Sequence, residues 1–78
     1  MLTKSLHTIT AATNVARHLL NCHKRGEYRI AGPISLAYDA LVILGHQTSI
    51  SDCTDDPTVQ RIVAACDKLL ANRTKAAA

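Results

Sequence analysis

The 78-residue sequence contains no Trp and no Phe, and its only aromatic side chains are Tyr28 and Tyr38. Proteins that hold single-stranded nucleic acid stack successive bases on aromatic rings, so a platform of that kind is excluded. Glycine is confined to Gly26, Gly32 and Gly45, each isolated. No glycine-rich loop is present to cradle a phosphate. Cysteine occurs three times, as Cys22, Cys53 and Cys66. An odd number cannot form a complete set of intrachain disulfides, and a reduced, cytoplasmic setting is the expectation. The longest nearly uncharged apolar run, Ile34 to Leu44, includes Asp39. It is too short for a bilayer core, which takes about 20 residues. Ser5, His7, Thr8, Thr10 and Thr13 interrupt what a secretory leader would need as a continuous apolar stretch, so a soluble chain without a leader is expected.

Cations are missing from a long internal segment. Residues 30 to 60 contain no Lys or Arg and carry Asp39, Asp52, Asp55 and Asp56, whereas residues 17 to 29 and 61 to 78 are each net +3, within a chain of net charge +3. Such segregation polarises a surface and can steer a charged partner or pair two copies of the chain. A chain of this length buries only roughly 62% of its unfolded surface as a monomer, leaving about 4,600 Å² exposed. That is a marginal core, of the size that a partner chain often completes.

Apolar residues set the helices. Leu2, Leu6, Ile9, Ala12, Ala16 and Leu19, widened by Val15 and Leu20, recur at helical spacing and predict a first helix over 2–24. Its opposite face is Lys4, Thr8, Asn14, Arg17 and Asn21, and Gly26 should end it after the cations Lys24 and Arg25. Glu27 to Ile30 reads as an extended connector, and Gly32-Pro33 as the turn that starts a second helix over 33–44. That helix has only Ser35 and Asp39 as polar positions, so it should be buried on more than one side. Leu41 to Leu44 is also compatible with a β-strand, because Val42 and Ile43 are β-branched. Residues 46–55 read as a polar connector anchored by Ile50 and Cys53. Asp56-Pro57 then signals a third helix over 57–73, with Val59, Ile62, Val63, Cys66, Leu69 and Leu70 inward. Ala76 to Ala78 is expected to fray.

Chemical motifs are sparse. His18 and Cys22 share a helix face, and His23, His46, Cys53 and Cys66 are further metal-ligand types, but no C-x-x-C or H-x-x-x-H pair exists. The expectation is therefore no metal and no cofactor. Cys22 and His23 are adjacent and point about 100° apart on a helix, so they cannot serve each other as nucleophile and base. Cys53 with His46 lacks an orienting group and an oxyanion donor, so no enzyme is expected. Asp52, Asp55 and Asp56 lack calcium-loop spacing and read as caps and turn residues. A helix-turn-helix would need Thr48 to Asp56 as its recognition helix, and that segment is acidic.

The sequence thus predicts an all-α, single-domain chain over 1–78: a three-helix protomer paired as a homodimeric bundle. Its expected role is that of a small non-catalytic protein-binding regulator or inhibitor, with no membrane partner. Partner contacts are assigned to Arg17, Lys24, Arg25, Tyr28, Arg29 and Ile30, because Tyr and Arg are enriched at interface hot spots. The dimer interface is assigned to Leu36, Leu41, Ile43 and Leu44 on the apolar second helix. The alternatives are a DNA-binding accessory protein using Arg17, Lys24, Arg25 and Arg29, and a thiol or metal sensor using the three cysteines.

Overall fold

Ala12 and Ala16 stand one turn apart and have no exposed surface, as do Ala37 and Ala40. Small side chains at such positions let helix backbones approach closely, and they mark where the first two long helices enter a common core. The structure, a computed structural model, describes residues 6–46 and 49–77, with the side chains of residues 6, 52, 53 and 72–77 outside that description. Its helices are α1 (Leu6–Lys24), α2 (Pro33–Ile43), α3 (Ile50–Asp55) and α4 (Pro57–Ala77), and no strand occurs among the described residues. The long helices α1, α2 and α4 pack on one another, while α3 lies against α4 and α2. The radius of gyration is 11.9 Å, against about 11.5 Å for a compact chain of this length.

The buried face of α1 is Thr8, Ala12, Ala16, Leu19 and Leu20, with Ile9 and Val15 half-buried. Thr8, expected on the polar face, instead turns inward at 8% exposure. It lies one turn before Ala12 on the same ridge, and its small size suits the close packing there. Thr13 donates its hydroxyl to the Ile9 carbonyl at 2.7 Å, which answers its polar atom without leaving the helix. Leu2 and Lys4 fall outside the described residues.

Both inner helix ends close by the same device. Gly26 has φ +76° and Gly45 φ +88°, a left-handed conformation that side chains disfavour. At the first, Glu27 N–H reaches the Cys22 carbonyl at 2.9 Å and Gly26 N–H the His23 carbonyl at 3.0 Å. At the second, His46 N–H bonds the Leu41 carbonyl at 2.9 Å and Gly45 N–H the Val42 carbonyl at 3.0 Å. These are Schellman motifs, which pair carbonyls a helix end would otherwise leave open. Leu41 to Ile43 is accordingly helical, and the strand alternative falls. Pro33 opens α2 at its first position, where its missing N–H is no loss.

Residues 50–55 form α3, a helix where a connector was expected. Ser, Thr and Asp are weak helix formers, so propensity alone hides it. Packing on α4 supports it, and Gln60 donates to its Thr54 carbonyl at 2.7 Å. Pro57 stops continuation by disfavouring helical backbone at Asp56. Asp56 then caps α4, its Oδ1 accepting the N–H of Thr58 at 2.8 Å and of Val59 at 3.4 Å. Helix α4 runs to Ala77, beyond the expected end at 73, in keeping with the high helix propensity of Ala. Leu36, Leu41, Val59, Ile62 and Cys66 are its and α2's largest fully buried side chains. Burying each Leu or Ile stabilises the fold by about 1.5 to 3 kcal/mol.

Candidate protein-binding surface

Helix α2 is apolar nearly all round, and the packing divides its circumference in two. Leu36, Ala37, Ala40 and Leu41 face α1 and α4 with no exposed surface. The outer side carries Ile34 at 44% exposure, Val42 at 45% and Ile43 at 58%. Ile34 and Val42 are two turns apart with half-buried Tyr38 between them, forming one ridge, and Ile43 lies about 100° round from Val42. Ile50 on α3 adds a further apolar side chain at 61% exposure. Large aliphatic side chains grouped on one helix are an association surface, whereas scattered ones are ordinary.

The residues assigned to a dimer interface therefore separate. Leu36 and Leu41 are fully enclosed within the protomer and cannot meet a second chain, because α1 and α4 cover that side of α2. Leu44 is half-buried against the core. Ile43 alone of the four is exposed, joined by Ile34 and Val42, which periodicity did not single out. A helix with no polar face offers no contrast from which its outer side can be read.

The connector between α1 and α2 is clasped at both ends. His23 donates Nδ1–H to the Tyr28 carbonyl at 2.9 Å, and the Tyr28 hydroxyl donates to Asp39 Oδ2. Asp39 is the single charge in α2, and this bond answers its carboxylate. Burial, then the hydrogen bond to Asp39, holds the Tyr28 hydroxyl well above the usual range for a phenol, so it remains a neutral donor. Tyr28 and Ile30 pack against the core. As assigned partner contacts they are thus largely turned inward, and their role is to seat the connector.

The cationic members of that assignment are on the surface. Arg17, Lys24, Arg25 and Arg29 are all exposed. Arg25 pairs with Glu27 at 3.0 Å, and Arg17 donates to Asn14 at 3.3 Å. Both contacts are solvent-facing and contribute little to stability. Around Cys22 the side chains gather along one helix face: Sγ lies 3.7 Å from His18 Nε2 and receives Arg25 Nη2 at 3.4 Å. Cys66 is enclosed, and burial pushes its thiol up to about 11. His46 is half-buried at the end of α2, and the Cys53 side chain lies outside the described residues. Among the described residues no three His, Cys, Asp or Glu side chains gather as a metal site.

No helix among the described residues is long and apolar enough to cross a membrane. Compared with protein-family models, curated proteins and solved structures, the chain matches none.

Proposed function

We propose that this chain is a small, non-catalytic protein-binding regulator that acts through the outer ridge of α2 and associates with a second copy of itself there. The observation that carries the reading is the exposure of Ile34, Val42 and Ile43 on one helix whose other side is already filled. Two further features support it. The ridge lies in a segment free of Lys and Arg, so copies meeting across it bring no cations together. Asp39 on the same helix is engaged by Tyr28, which lessens the cost of placing two such carboxylates near one another.

Multi-angle light scattering over a micromolar concentration series tests the self-association. The expected result is a dimer for the natural chain and a folded monomer for Ile43→Glu, with helicity by circular dichroism unchanged. Leu41→Glu should instead unfold the protomer, since its carboxylate would be enclosed without a partner. A folded monomer for the natural chain at every concentration would refute the self-association. Unaltered capture of host proteins by immobilised Ile43→Glu would refute the ridge as a partner surface.

A second reading, contact with nucleic acid through the basic end of α1, is favoured by the exposure of Arg17, Lys24 and Arg29 without a carboxylate bonded to any of them among the described contacts. The acidic stretch from 30 to 60 weighs against it, because a duplex would be repelled there.

A further inference from the structure

The side chains of His18, Cys22 and Arg25 converge at the end of α1, where the ridge of α2 has no part. His18 and Arg25 are exposed and Cys22 is half-buried, so the sulfur is reachable from solvent. Its two neighbours approach from either side: His18 Nε2 at 3.7 Å, one helical turn before, and the Arg25 guanidinium at 3.4 Å, three residues after. We propose that Cys22 is a redox-reactive thiol that forms mixed disulfides with small anionic disulfides, with His18 and Arg25 as its working neighbours.

The chemistry is thiol–disulfide exchange. His18, in the tautomer with its proton on Nδ1, accepts the Cys22 S–H proton on Nε2. The freed sulfur pair attacks one sulfur of the disulfide; the new S–S bond forms as the old one breaks, and the departing thiolate takes up the proton. Cys22 is oxidised, one half of the small disulfide is reduced, and no other reactant is consumed. Negative charge is spread over three sulfurs during the exchange, and the Arg25 N–H already directed at Sγ is placed to stabilise it. The last turn of a helix opposes negative charge. Here the Cys22 carbonyl is occupied by the N–H groups of Arg25 and Glu27, at 3.1 and 2.9 Å, and the guanidinium, whose Nη2 lies 3.4 Å from the sulfur and 3.0 Å from Glu27, bridges the two.

The other groups do not compete. His23 is held by the Tyr28 carbonyl, and Cys66 has no exposed surface. Residues 17 to 29, which include the site, carry a net charge of +3, and this favours a disulfide bearing carboxylates over one bearing amines.

The test uses the full chain with Cys53→Ser, so that Cys22 and Cys66 remain. Glutathione disulfide is the anionic probe and cystamine the cationic one, with adducts located by peptide mass mapping. Native protein is expected to take one glutathione, on Cys22, about tenfold faster than the same chain in urea, and His18→Gln should remove that advantage. In Arg25→Ala the preference for glutathione disulfide over cystamine should shrink, and Arg25→Lys should restore it. All substitutions on the working neighbours lie at exposed positions, and circular dichroism checks the fold. Equal rates for the native and urea-unfolded chains would overturn the proposal. So would native rates in both His18→Gln and Arg25→Ala, which would make Cys22 an ordinary surface thiol.

Discussion

Replacing Cys66 by Ala should produce stability curves that cross as pH rises. At neutral pH the substitution removes a fully enclosed sulfur from the core between α2 and α4, and the lost packing costs about 1 to 2 kcal/mol. Alkaline pH reverses the comparison. In the unfolded chain the thiol ionises near its usual value of 9.0, whereas burial holds it near 11 in the folded chain. Between those values the unfolded state has lost a proton that the native state keeps, so the contribution is full below about pH 9 and declines above it at about 1.4 kcal/mol per pH unit. By pH 11 the natural chain should have lost about 2.3 kcal/mol, a loss that the Ala variant does not suffer. The curves should therefore meet near pH 10, with the variant the more stable above it. Urea denaturation followed by circular dichroism at several pH values, under reducing conditions, measures both curves. The Tyr28 hydroxyl is shifted upward by burial and Asp39 and, least, by Cys66 itself, so comparing the two curves in a Tyr28→Phe background isolates the thiol. Parallel curves without convergence would show that Cys66 reaches solvent in the native state and would refute the packing on which the α2–α4 contact is argued.

Tyr28→Phe keeps the ring against the core but leaves the half-buried Asp39 carboxylate without its donor; a loss of about 1 to 2 kcal/mol is expected in urea denaturation, and Asp39→Asn, which still accepts the hydroxyl, should lose less. Lys24→Ala with Arg29→Ala spares the paired Arg25 and should leave fold and self-association unchanged. Electrophoretic shift of a DNA duplex at roughly 0.15 M salt decides the second functional reading: submicromolar binding abolished by this pair of substitutions would promote it over protein binding.

Where a helix begins or ends was legible because the signal is local. Gly26 and Gly45 supply the left-handed residue that a Schellman ending requires, Pro33 starts α2, and Asp56 caps α4, each where its chemistry placed it. Features that depend on tertiary packing were not legible in the same way. Helix α3 is built from Ile50, Ser51, Asp52, Cys53, Thr54 and Asp55, five of them weak helix formers, and it exists against α4 rather than by its own propensity. Thr8 looked polar by type, yet the ridge it shares with Ala12 and Ala16 turns it inward. Helix α2 carried enough information to show that it is enclosed on several sides, and none to say which side stays open, since Leu36, Leu41, Val42 and Ile43 are equivalent in a hydropathy pattern.

The two surfaces left by this packing differ in physical character, and that difference makes their roles separable. The outer ridge of α2 is aliphatic, and its one carboxylate is engaged. Association through it rests on apolar area, which strengthening salt does not screen. The end of α1 carries exposed cations and a thiol with two polar neighbours, so what it binds or reacts with must respond to ionic strength. The shared face of His18 and Cys22 was visible in their spacing, and Arg25, three residues after Cys22, continues that face into the turn that closes the helix. A salt titration therefore assigns any binding event to one surface or the other. Partner capture that persists at high salt and is lost in Ile43→Glu belongs to α2, and capture that fades with salt while tolerating Ile43→Glu belongs to the basic end of α1.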